Sequence, residues 1–179
     1  SMMFGLDESY HGAVLTGYHS AASWNGNPLA HTMNTQVIQL TINGEAASEM
    51  MLNSLTAASM GVPIFAVTGD KQLCEWMKGK CPATATVPVN EGSGGAVRSI
   101  HPNEAVRLIR EAVAAAVQQP REACLFPMPD SFEVLIRHRE HQKTNRSSHY
   151  PGMEQVDAHT LRFVHTDWYE VLRMLHFCL

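Results

Sequence analysis

The sequence predicts an α/β fold: a layered, largely parallel sheet with flanking helices. Two observations carry that expectation. Short apolar runs alternate with segments of helical period along the chain, the order that builds parallel strands joined by helices. The first such run, Ala13-Val14-Leu15, is apolar at every position, as in a strand covered on both faces. With 179 residues, 45% of them apolar and 17% charged, the chain has the length and balance for one core. A single domain is therefore assigned to residues 4–179. Ser1-Met2, ahead of Met3, reads as an expression scar and is set apart from the fold.

The elements follow in order. The first strand is closed by Gly17, and Asn25-Gly26 and Asn27-Pro28 mark a loop. Residues 37–42 form a second strand, stopped by Asn43-Gly44. Residues 46–60 read as a helix, with Met51, Leu52, Leu55 and Ala58 on one face and Gly61 as its stop. A strand at 62–68 leads into Gly69-Asp70, which opens a short helix through Met77. Residues 84–89 form another strand, and 91–95 a glycine-rich loop. Pro102 starts a long helix to Gln119, with Val106, Ile109, Val113 and Val117 inward. Residues 132–138 alternate as a strand, and 156–165 form the last one. Asp167 and Glu170 stand as N-cap and N3 of the final helix.

Composition narrows the function classes. The net charge is −4, and the basic stretch 137–146 is diluted by His138, Glu140, His141 and Gln142. That is a solvated strand end and loop, not the clustered Lys/Arg of a nucleic-acid surface. No apolar run approaches the length of a membrane span. Cys74, Cys81, Cys124 and Cys178 match no Cys-x-x-Cys ligand pair, and no signal peptide is evident. Reduced thiols in the cytoplasm are the expectation, with Cys124 and Cys178 as small buried hydrophobes.

In parallel sheets, sites gather at the C-terminal ends of strands. That rule points to Gly17-Tyr18-His19, Gly69-Asp70 and the 91–95 loop. Taken singly, His19 is a strand-end histidine, His31 a loop histidine, and Glu49 a helix-start carboxylate favoured by the macrodipole. Asp70 reads as an N-cap. Residues 91–95 lack both the Lys-Ser/Thr of a phosphate loop and the spacing of a dinucleotide fingerprint, so a flexible loop is the better reading than a nucleotide site. His138 and His141 are three apart where a zinc-binding helix needs four. His149, His159 and His165 receive no role.

Taken in order, these stretches resemble a known family. Gly17-Tyr18-His19, Ala30-His31-Thr32-Met33, Ser48-Glu49-Met50-Met51-Leu52-Asn53, Gly61-Val62-Pro63, Val67-Thr68-Gly69-Asp70, Ser99-Ile100-His101-Pro102 and Tyr150-Pro151-Gly152 closely resemble the zinc metallopeptidases of the D-aminopeptidase, DppA (dipeptide transport protein) type. The resemblance runs from Phe4 to the end and corresponds to the family's C-terminal two-thirds. It implies zinc ligation by His19 and Glu49, and a catalytic role for His31. It also implies hydrolysis of the N-terminal residue from short D-amino-acid peptides, and a homo-oligomer, in the family a decameric ring with an enclosed channel.

The family draws further ligands from an Asp-x-Glu and a histidine upstream of Gly-Tyr-His, and Asp7-Glu8 does not match that spacing. The expectation is a partial metal site, since a catalytic zinc normally has three protein ligands. A sheet edge left without its upstream strands is expected to be covered by another copy. Asn90 stands where family members commonly carry Lys. The rival reading is a non-catalytic oligomerising or peptide-binding subunit of the same fold.

Overall fold

The structure, a computed structural model, describes residues 2–179, so the first residue of the Ser1-Met2 scar lies outside the described residues. The elements are β1 (Ala13–Tyr18), β2 (Val37–Ile42), β3 (Glu45–Ala46), α1 (Glu49–Ser59), β4 (Ile64–Asp70), α2 (Lys71–Lys80), β5 (Ala85–Ser93), β6 (Ala96–Ser99), α3 (Pro102–Ala116), a 3-10 turn (Arg121–Cys124), β7 (Phe132–His138), α4 (His141–Ser147), β8 (Met153–Gln155), β9 (Thr160–His165) and α5 (Trp168–Cys178). They divide into two compact units. Among the described residues, one comprises 2–20, 24–30 and 50–128; the other comprises 21–23, 31–49 and 129–179. The fold is mixed α/β with a largely parallel sheet and flanking helices, as the alternation of elements predicts.

The first unit holds that sheet, in the order β1-β4-β5-β6. Strands β1, β4 and β5 run parallel, and β6 returns antiparallel to β5. Strand β4 is central, and all seven of its residues are buried. Its unbroken Ile-Phe-Ala-Val run fits a parallel strand with both faces covered. The expected 91–95 loop is instead a β hairpin, with Ser93 opposite Ala96 and Gly94-Gly95 between them. Helix α3 stops at Ala116, short of Gln119. Its packed stripe is Ala105, Leu108, Ile109, Ala112, Val113 and Ala116, whereas Val106 is 55% exposed and Val117 also faces outward. Both stripes have helical period. Small alanines let the helix lie close to its sheet, and the bulkier Val106 turns away.

The second unit is a separate, all-antiparallel sheet in the order β3-β2-β7-β9-β8, which the sequence pattern does not separate from the first. Strand β7 alternates buried and half-buried residues, as a sheet with one covered face requires. Register then builds rows across three strands: Leu40, Ile136 and Leu161 in one, Ile42, Val134 and Phe163 in the next. Helix α5 covers this unit's core with Trp168, Val171, Met174, Leu175 and Cys178, and Trp168 meets Phe132 at a ring separation of 5.0 Å. Asp167 caps α5 by accepting the Tyr169 N–H, while Glu170 pairs with Arg173 instead of closing a capping box.

Three further boundaries differ from the sequence reading, each for a local reason. Asn43 and Gly44 both take left-handed φ, 51° and 82°, and join Ile42 to Glu45 in a two-residue hairpin. That turn matches the twist of paired strands, so Glu45-Ala46 stay extended and α1 starts at Glu49, not Ala46. The expected 156–165 strand shortens to β9, which starts at Thr160; residues 156–159 form the turn from β8, where Asp157 Oδ1 accepts the His159 N–H. The 137–146 stretch is not a solvated loop at its start: His138 is fully buried, and His141 opens α4.

His138 ties three elements together. Its Nε2 lies 3.1 Å from the Cys178 carbonyl and its Nδ1 3.4 Å from the Thr144 hydroxyl. A carbonyl only accepts, so Nε2 carries the proton. Burial pushes this imidazole below its ordinary value of 6.5; the Cys178 bond opposes the shift and the Lys143 charge adds to it. The unfolded chain therefore binds the proton first. The stabilisation is complete above pH 6.5 and is lost as pH falls from there to the lowered folded value. Thermal midpoints measured from pH 8 to pH 5 should fall more steeply for the native protein than for His138→Gln; parallel curves would refute this.

The β1–β4 contact makes a second prediction. A Cβ on Gly69 would lie 2.1 Å from the Tyr18 backbone oxygen, whereas one on Gly79 in α2 would meet nothing within 4 Å. Gly69→Ala should cost about 1–3 kcal/mol through forced separation of the strands. Gly79→Ala should add about 0.5–1 kcal/mol by removing backbone freedom from the unfolded chain. Urea denaturation of the two variants reads both signs.

Candidate metal and catalytic site

The site residues sit where the backbone changes element. In the second unit, Glu49 is the first residue of α1, where a carboxylate is favoured by the unpaired N–H groups of the helix end. His31 lies in the loop before β2. Thr32, fully buried, fixes that loop: its hydroxyl donates to the Ala47 carbonyl at 2.8 Å and accepts the Ala22 N–H at 3.0 Å. The chain then bends sharply at Met33, whose φ is +65°. The Asn34 N–H returns to the Thr32 carbonyl at 2.8 Å.

That bend aims two groups at one oxygen. The Met33 N–H donates to Glu49 Oε1 at 2.9 Å, and His31 Nε2 stands 3.6 Å from the same atom. The second distance is an ion-pair separation, too long for a direct hydrogen bond. The side chains are partly covered, 32% exposed for His31 and 18% for Glu49. Water has access, but the pair is less screened than one on an open surface. The structure thus brings His31 and Glu49 together.

In the first unit, His19 follows the last residue of β1 and is half-buried. Its Nδ1 lies 3.0 Å from the Ser20 carbonyl. Because that oxygen only accepts, Nδ1 bears the hydrogen and Nε2 carries the lone pair, the form suited to ligating a metal. Beside it, the Tyr18 hydroxyl accepts from Asn53 Nδ2 at 2.7 Å. The chemistry of the donor set fits zinc, which takes imidazole nitrogen and carboxylate oxygen.

The other sequence candidates resolve into structural roles. Asp70 caps α2, accepting the Leu73 N–H at 2.9 Å. In the 91–95 hairpin, Glu91 is held by Lys71 at 2.9 Å, which places a carboxylate where a phosphate cradle would need only donors. Asn90 pairs across β5 with Ser99 of β6. His159 is half-buried, its Nδ1 3.2 Å from the His138 carbonyl. The four cysteines are free and buried. Sequence reasoning did not find the Met33 N–H or Thr32, both central to the Glu49 geometry. The positive φ of a methionine leaves no signature in composition, and Thr32 was visible only as the middle of His-Thr-Met.

The Peptidase M55, D-aminopeptidase, family profile matches residues 1–177. A D-aminopeptidase of Bacillus subtilis (strain 168) is 29% identical over 177 residues, covering 98% of this chain and 64% of the relative. The solved structure of the Zn-dependent D-aminopeptidase DppA from Bacillus subtilis, described as a self-compartmentalizing protease, superposes with a TM-score of 0.88 at 27% identity, over 99% of this chain and 65% of that one. The chain thus spans just under two-thirds of the length of these relatives. Since the profile match runs through nearly every residue, the protein belongs to the D-aminopeptidase family, Peptidase M55.

Proposed function

We propose that this chain is the zinc-binding and proton-transferring part of an aminopeptidase that removes the N-terminal residue from short D-amino-acid peptides. The convergence of His31 and the Met33 N–H on Glu49 Oε1 carries the reading. His19, His31 and Glu49 each offer one ligand atom of a kind zinc accepts. In this reading His19 and Glu49 hold the metal, and His31 is the catalytic residue. Zinc supplies a Lewis acid that activates water near neutral pH and polarises a carbonyl.

The remaining steps belong to the chain's own side chains. The Met33 N–H holds Glu49 Oε1 in place, which fixes the attitude of the carboxylate. His31 Nε2 takes a proton as water attacks and returns it to the departing amine, work suited to an imidazole. Glu49 Oε1, 3.6 Å from His31 Nε2, keeps the imidazole beside the carboxylate between those two events. The buried Thr32 hydroxyl keeps this loop in register with the start of α1.

The DppA relative's self-compartmentalizing description supports a homo-oligomer here too; its form as a ring is what the family resemblance implies. Four free, buried thiols fit a cytoplasmic location. No helix among the described residues is long and apolar enough to cross a membrane. The alternative is a non-catalytic oligomerising or peptide-binding subunit of the same fold. It is favoured by a resemblance that assigns only two ligands to this chain.

Elemental analysis after zinc loading and gel filtration decides between them. The first reading expects near-stoichiometric zinc in the native protein, lost in His19→Ala and Glu49→Gln. It expects His31→Ala to retain zinc while hydrolysis of a short D-peptide slows about 10²–10⁴-fold. Zinc-free native protein eluting as an oligomer would sink the peptidase reading for this chain and leave the subunit reading. Thr32→Val should weaken zinc retention with little change in secondary structure by circular dichroism, because it frees the loop carrying His31 and Met33.

A further inference from the structure

Asp70 does more than a helix cap requires. A cap residue accepts one N–H from the first turn, and Asp70 does so from Leu73. Its carboxylate is also fully buried, and it takes two additional donors, both from Ser20. The Ser20 hydroxyl donates to Oδ1 at 2.8 Å and the Ser20 N–H donates to Oδ2. Ser20 is itself fully buried. A carboxylate removed from water needs every such bond, since each missing donor leaves charge uncompensated.

The geometry leads directly to His19. Tyr18 pairs with Gly69, whose missing side chain lets the two strands meet closely. One residue further along each strand come His19 and Asp70, and Ser20 turns back onto the carboxylate. With its N–H and its hydroxyl both held, Ser20 has little rotational freedom, and its carbonyl is the group that receives Nδ1–H of His19. We infer that Asp70 is a positioning residue for His19: by clamping Ser20 on both sides it fixes the carbonyl that orients the imidazole and selects its Nδ1–H tautomer. The zinc consequence rests on the reading of His19 as a ligand; the tautomer consequence does not.

Asp70→Asn separates positioning from capping, because asparagine caps helices as well as aspartate does but offers one acceptor where the carboxylate offers two. Two quantities are measured on the full chain: the His19 ring tautomer, by proton–nitrogen correlation in metal-free protein at pH 8, and zinc affinity, by competition with a chelator. The expected result is a folded variant with a mixed or Nε2–H tautomer at His19 and zinc bound about 10–100-fold more weakly. A folded Asp70→Asn protein with an unchanged tautomer and unchanged zinc affinity overturns the inference. Should that variant fail to fold, Ser20→Ala is read by the same two measurements, and an unchanged tautomer there also overturns it. If the native protein itself binds no zinc, the ligand reading of His19 fails and the tautomer measurement alone decides the role of Asp70.

Discussion

The close approach of β1 to β4 at Gly69 is the constraint on which the first unit's chemistry depends. Parallel pairing carries Tyr18 alongside Gly69, and a side chain at that position would collide with the Tyr18 carbonyl. Because the collision partner is backbone, no rotamer change relieves it. Everything downstream inherits this spacing: the reach of Ser20 to Asp70, the cap on α2, and the attitude of His19 at the strand end. A buried carboxylate with three donors is costly to assemble and rigid once assembled. Those properties suit a side chain whose task is to hold a neighbour still.

The second unit solves a related problem by different means. A helix N-terminus favours a carboxylate but does not orient it. Orientation comes from the loop before β2, where one buried threonine bonds to two separate backbone segments and a methionine accepts a left-handed conformation. Non-glycine residues with positive φ concentrate where function overrides local comfort. Here the strained residue spends its N–H on the oxygen that also faces His31, so the cost of the conformation and the placement of the charge have one cause.

Much of the fold was legible because local pattern and tertiary environment agree. Strands β4 and β7 and helix α5 follow from the apolar run, the alternation and the Asp167 cap, whereas β1, expected to be covered on both faces, leaves Val14 39% exposed. The two-sheet arrangement was not legible. Nothing in 132–138 or 160–165 says whether a partner strand runs parallel or antiparallel; that is settled by register with Leu40 and Ile42, far away in sequence. The sequence offers two readings of His138, a solvated one from its charged neighbours and an inward one from alternation with Phe132, Val134 and Ile136; the structure shows the second. At the site, side-chain identities named His19, His31 and Glu49 only through their order along the chain. The backbone donor of Met33 and the double grip on Ser20 are conformational, and they appear once the strands and turns are in place.

The burial of all four cysteines has a practical side. Burial pushes the Cys74 thiol up to about 12, with the Asp70 charge adding to the effect, and burial likewise raises Cys124 and Cys178. Thiolate is the reactive form, so these three present little of it to an alkylating dye at neutral pH, and Cys81 is shielded by its burial. A single cysteine introduced at the open tip of the β5–β6 hairpin, in place of Gly95, would be labelled against a nearly silent background. The native scaffold is thus already prepared for fluorescence or spin-label spectroscopy, without first stripping its own sulfur from the core.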